Sequence, residues 1–206
     1  MLPSRAAVRR TPWELRYRLG RKLASDWRRV TIKATHRHCR VEFRGPVHLG
    51  PGFELDMLEY GTFIVGPNVE FRRGFVCQIG GAGRVEIGAG SVFTYNTIIQ
   101  CTTEMIIGER CVFAQDCVLT DGFHRYRDWT KNTLDQGFDL HPVHIDDGAF
   151  VASKCTVHAD LGRHCMIGAH SLVNRPIPAY CFAFGTPAKV HDYFGPPDLR
   201  PAALDG

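Results

Sequence analysis

From residue 41 onward the large apolar residues of this chain recur every six positions, in sets of three. They fall at Phe43, Leu49 and Leu55; Val65, Phe71 and Cys77; Ile87, Phe93 and Ile99; Ile107, Phe113 and Leu119; Ile145, Val151 and Val157; and Leu161, Ile167 and Val173. A helix repeats its apolar face about every 3.6 residues and a strand about every 2, so neither sustains this rhythm. A six-residue step taken in threes fits a three-sided β-solenoid with eighteen residues per coil. Each side holds one short strand and points one apolar residue inward, and stacked coils bury these residues as ladders. Glycine directly follows the inward position at Gly50, Gly66, Gly88, Gly108, Gly162 and Gly168. The expected fold is therefore all-β.

Departures from the rhythm locate the rest. Four extra residues around Glu59-Tyr60-Gly61, four around Gly80 to Gly83, and two between the third and fourth coils read as bulged corners. Twenty extra residues between Leu119 and Ile145 make a long inserted loop, 120–144. Insertions of this kind at the corner of a regular scaffold commonly carry function. The loop opens with Thr120-Asp121-Gly122-Phe123-His124, so the largest break in the repeat presents a histidine. Val157 to Leu161 is a shortened corner of four residues. After Val173 a proline-containing stretch leaves the rhythm, and the tail, 192–206, reads as a cap or a loose end. The repeat domain spans 41–191, behind a segment of residues 1–40.

That first segment carries the charge. Its twelve Lys and Arg face only Glu14 and Asp26, a net of +10, whereas the remaining chain is net −6. Nucleic-acid binding by the main domain is therefore not implied. Over 12–33, Leu15, Leu19, Leu23, Trp27 and Val30 form an amphipathic helical stripe. Either this helix packs its stripe on the body with its polar side in solvent, or it lies on an anionic membrane surface. No apolar run reaches the roughly 18 residues of a membrane span, and no signal-peptide core is present. The chain reads as cytoplasmic, with peripheral contact to the inner face of the membrane through residues 1–40 under the second reading.

Eight cysteines occur without any C-x-x-C pair. Cys111, Cys117, Cys155 and Cys165 each stand four residues after a large apolar residue, where Ser91, Thr97, Ala149 and Ser171 stand elsewhere. They read as small wall residues in a reducing compartment.

The hexads, the T-D-G-F-H break, the I-G-A-H-S-L-V run at 167–173 and the ending G-T-P-A-K-V at 185–190 together carry a family resemblance. Residues 43–191 resemble the left-handed β-helix hexapeptide-repeat acyltransferases, the group of galactoside, maltose, chloramphenicol and polysaccharide O-acetyltransferases. The resemblance implies a left-handed parallel coil and a homotrimer of triangular prisms. It also implies acetyl-CoA and acceptor bound between neighbouring subunits. It makes His124 the catalytic base and places Phe150, Ala152 and Ser153 on the wall beside acetyl-CoA, with Phe150 and Ala152 where Trp and Gly are usual. Ala169 and Asn174 extend that wall, Lys189 lies near the CoA phosphates, and Asn96 binds the acceptor. The acidic acceptor-binding pair of the galactoside enzymes is replaced by Cys101 and Thr102, which leaves the acceptor open.

A hydroxyl becomes a good nucleophile only as its proton leaves, so acetyl transfer from a thioester needs a base near neutrality; histidine, near ~6.5, suits it. Asp121, three residues before His124, either orients that imidazole or caps the turn. His141 and His144, at the far end of the loop, could line the acceptor cleft. His158, His164 and His170 read as surface residues. His164 and His170 each follow an inward residue by three and face different sides, so they do not form a metal set. No metal is expected. A zinc-dependent carbonic anhydrase on the same solenoid would show two histidines five residues apart, a spacing absent here. The expected function is an acetyl-CoA-dependent O-acetyltransferase acting on a sugar or polysaccharide-precursor hydroxyl. An amino-sugar N-acetyltransferase and a non-enzymatic solenoid module are the alternatives.

Overall fold

The three residues of each hexad triplet occupy the three sides of one coil. A computed structural model describes residues 11–202, so residues 1–10 and 203–206, the outer ends of the basic segment and the tail, lie outside the described residues. The first side stacks Arg40–Phe43, Thr62–Val65, Arg84–Ile87, Glu104–Ile107 and Val143–Ile145 in parallel. The second stacks His48–Leu49, Glu70–Phe71, Val92–Phe93, Val112–Phe113, Phe150–Val151, Met166–Ile167 and Cys181–Gly185. The third stacks Glu54–Asp56, Val76–Ile79, Ile98–Cys101, Val118–Thr120, Thr156–Val157 and Leu172–Val173.

Register follows the hexads residue for residue. Leu49, Phe71, Phe93, Phe113, Val151 and Ile167 are successive partners on the second side, and the other two sides repeat the pattern. Every hexad residue except the half-buried Phe43 is buried. Phe93 stacks on Phe71 and Phe113 at centroid distances of 5.1 and 4.8 Å, which fixes the spacing of three coils. The glycines after the inward positions have a steric cause. A Cβ on Gly88 would lie 2.5 Å from the carbonyl carbon of Gly108 in the next coil.

The structure differs from the sequence reading at three places. The extra corner residues do not bulge; they lengthen the strands on both sides, adding inward Ile79 and Cys101 on one side and Phe63, Val85 and Met105 on the other, with Met57 buried just past the end of Glu54–Asp56. The rhythm does not end at Val173 either. Ile177 and Ala183, six apart, are buried and stack on Leu161 and Ile167 as a seventh rung. The shortened corner before Leu161 recurs before Ile177, because the first side has shrunk there from a strand to a single bridge.

Both ends of the coil are covered. At the top, Ala188–Tyr193 turns back antiparallel onto Cys181–Gly185. At the bottom lies a helix, α1, Pro12–Thr35, started by a capping box between Thr11 and Glu14 with proline in its first turn. The reading in which its apolar stripe packs on the body is corrected here. The packed face is polar, centred on Ser25, whereas Leu15, Leu19, Leu23, Trp27 and Val30 are 53%, 58%, 60%, 72% and 63% exposed.

The cause lies in the first coil, whose outer backbone groups have no coil beneath them. Ser25 Oγ donates to Val47 O at 3.3 Å and accepts from Leu49 N at 2.8 Å. Arg28 donates to Leu49 O at 3.0 Å and Arg29 to Gly45 O at 3.1 Å. Buried backbone groups require such partners, and an apolar stripe has none to offer.

Candidate active site

The long insertion is an ordered hairpin at the edge where the third side meets the first. Gly122–His124 pairs antiparallel with Phe138–Leu140, and Arg125 Nε bonds Asp139 Oδ1 at 2.6 Å across it. Asn132 caps a short turn, Thr133–Asp135, by accepting from Leu134 N. His124 ends the first strand, exposed, with its ring 4.1 Å from that of Phe138.

Asp121 does something other than orient it. The carboxylate is 2% exposed. Its Oδ2 accepts from Thr102 N at 2.8 Å, Thr103 N at 2.5 Å and Thr103 Oγ1 at 2.7 Å. Of the two roles considered for Asp121, orienting the His124 imidazole is corrected to holding a corner, the one between the third and fourth coils.

A different imidazole joins the hairpin. His158 follows the inward Val157 and therefore stacks over Thr120, the residue in the same place one coil below. Its Nδ1 lies 3.1 Å from Thr120 O; a carbonyl only accepts, so Nδ1 carries the hydrogen and Nε2 keeps its lone pair. The ring packs 4.0 Å from Phe123 and 4.2 Å from His141, whose Nε2 donates to His158 O at 2.9 Å. Burial pushes the pKa of His158 below the ordinary histidine range, partly opposed by the Thr120 carbonyl. The expectation of a plain surface residue is thus corrected: His158 is half-buried, at the root of the hairpin. Its signal in the sequence was its place directly after a hexad residue, opposite the start of the insertion.

His141 stays with this cluster, but His144 does not. It faces out on the first side, with Nε2 3.3 Å from Glu104 Oε1, in a charged row that also joins Glu104 to Arg84 and Glu86 to Arg44. Among the described residues no three His, Cys, Asp or Glu side chains converge as a metal site.

The residues expected beside acetyl-CoA lie mainly on another edge. Phe150 points outward from the second side between Val112 and Met166, and Phe182 continues the column. Ala152 and Ser153 follow at the corner between the second and third sides, with Ala169 one coil higher. Lys189 is exposed on the returning strand opposite Phe184. Asn174 instead ends the third side, one coil above His158. Asn96 sits at the second corner in a left-handed turn, φ 56°, with its amide donating to Asp116 Oδ1 at 3.0 Å. The structure does not bring Asn96 to His124 within one chain. What the sequence reading missed is the outward apolar column itself, because its members alternate with the hexad residues.

No family model matches the chain. A probable acetyltransferase of Mycobacterium tuberculosis is 31% identical over 190 residues, which cover 87% of this chain and 57% of that protein. A galactoside O-acetyltransferase of Lactococcus lactis is 23% identical over 153 residues, covering 73% and 72%. The chain thus spans little more than half the length of the first of these relatives. Among solved structures, a hexapeptide-repeat acetyltransferase of Vibrio cholerae in complex with acetyl coenzyme A superposes with a TM-score of 0.54 at 14% identity, over 75% of this chain and 72% of that one. These relatives are named as acetyltransferases, and the fold is the one seen in the hexapeptide-repeat acetyltransferase, in agreement with the family that the sequence resembles. As in that fold, the coil of this hexapeptide-repeat protein is a left-handed parallel β-helix.

Proposed function

We propose that this protein is an acetyl-CoA-dependent O-acetyltransferase for a hydroxyl of a sugar or polysaccharide precursor, working as a homotrimer. One observation carries the reading. The hairpin base and the apolar wall occupy different edges of one prism, so a cleft needing both is completed by a second copy. Phe150, Ala152, Ser153 and Ala169 suit the pantetheine arm of acetyl-CoA: an apolar column beside small corner residues that let a chain lie close. Lys189, exposed above them, suits its phosphates. The donor supplies the activated acetyl group. His124, exposed on the hairpin, takes the acceptor's proton as its oxygen attacks the thioester carbonyl, and the CoA thiol leaves. The Lactococcus relative's name favours a galactoside-like hydroxyl over an amine.

Calorimetric titration with acetyl-CoA tests the donor, beside a Lys189→Ala variant. Saturable binding, weakened in the variant, is expected. No binding at millimolar donor removes the reading and leaves a non-enzymatic solenoid.

A further inference from the structure

Among the described residues nothing covers the apolar stripe of α1, and the structure says why it cannot turn inward. The face that meets the first coil must supply hydrogen bonds, and Ser25, Arg28 and Arg29 supply them. Among the described side chains of α1, only Ile32, near the C-terminal end, packs against the apolar core. The stripe of Leu15, Leu19, Leu23, Trp27 and Val30 therefore projects from the base of the prism, away from the coils.

Charge narrows what can cover it. Arg16 and Lys22 are exposed on the same helix, whereas Arg18, seven residues before Ser25, borders the cleft between helix and coil. Its only two acids are engaged elsewhere: Glu14 closes the capping box, and Asp26 bonds Arg29 at 2.7 Å. A second copy of the helix laid on this stripe would bring like cations together. An anionic lipid surface offers the opposite charge and an apolar interior at one plane.

We propose that α1 docks this protein on anionic membrane, with Leu15, Leu19, Leu23, Trp27 and Val30 at the acyl boundary and Arg16 and Lys22 against lipid phosphates. Because the helix crosses the open base of the coil, the prism stands on the membrane with its coils stacked away from it. In a trimer of parallel prisms all three helices share that end, and three weak contacts act together. The inference does not require acetyl transfer, and its test is read without turnover.

The experiment is sedimentation with vesicles of mixed phosphatidylglycerol and phosphatidylcholine, or of phosphatidylcholine alone. Wild type is compared with the double variant Leu19→Glu, Leu23→Glu, whose sites are exposed and whose melting temperature should not move. Wild type should bind the anionic vesicles, lose affinity as salt rises, and shift its tryptophan emission to the blue, a shift absent from Trp27→Phe. The double variant should bind at least roughly tenfold more weakly. Failure of wild type to bind anionic vesicles at low salt, or equal binding by the double variant, would overturn the proposal. So would a fall in oligomer size in the double variant without vesicle binding by wild type, which would assign the stripe to a second copy.

Discussion

Asp121 Oδ2 accepts two hydrogen bonds from Thr103, from its amide at 2.5 Å and its hydroxyl at 2.7 Å. With the Thr102 amide at 2.8 Å, this buried carboxylate fastens the start of the hairpin to the coil below. Replacing Asp121 by Ala strands those donors, at a cost of about 3 kcal/mol. Denaturant unfolding should show that loss. Asp121→Ala with unchanged stability would mean the corner is not held this way.

His158 makes a prediction in pH. Its pKa is lowered on folding, chiefly by burial, so between the folded and unfolded values the unfolded chain binds more protons. Stability is therefore full above the unfolded value, near ~6.5, and declines as pH falls below it. His48, also shifted down by burial and then by the Arg21 charge, adds to the slope with the same sign. Melting curves of His158→Gln and His48→Gln should each be flatter between neutral and mildly acidic pH than that of wild type. A slope unaltered in both variants would contradict the assignment.

The cysteines should be silent in the native state. Seven of the eight are buried and Cys39 is half-exposed. Burial pushes Cys101 and Cys165 up to about 12, so little thiolate exists to react. Alkylation of native protein should label Cys39 first, and the other seven only after denaturation. Rapid native labelling of Cys101 or Cys165 would show that the wall opens.

The hexads were legible because each inward position states its own requirement, a large apolar side chain, and the periodicity needs no partner to be seen. Glycine after them was legible in pattern but not in cause, since the clash at Gly88 is with Gly108 one coil away. The site was harder. Asp121 lies 18 residues from Thr103, and only the stacking of coils makes them neighbours. The same stacking, across the insertion, sets His158 over Thr120. For α1 the pattern identified which face is apolar. It could not reveal that the first coil exposes Val47 O, Leu49 N and Leu49 O and so demands the polar face.

The separation of hairpin and wall on two edges leads to a test of where the cleft forms. His124→Ala removes the proposed base but leaves the wall, and its turnover should fall on the order of 10²–10⁴-fold. Phe150→Glu puts a charge on the wall but leaves the hairpin, and Phe150 is exposed enough for the fold to accept it. Each variant alone should be nearly inactive. If clefts form between copies, mixed trimers contain clefts built from the sound hairpin of one variant and the sound wall of the other. Random mixing of equal amounts leaves about a quarter of clefts sound, so unfolding and refolding the two together should restore about a quarter of wild-type turnover. If each cleft belonged to one chain, every cleft would carry a defect, and the mixture would stay as inactive as its parents.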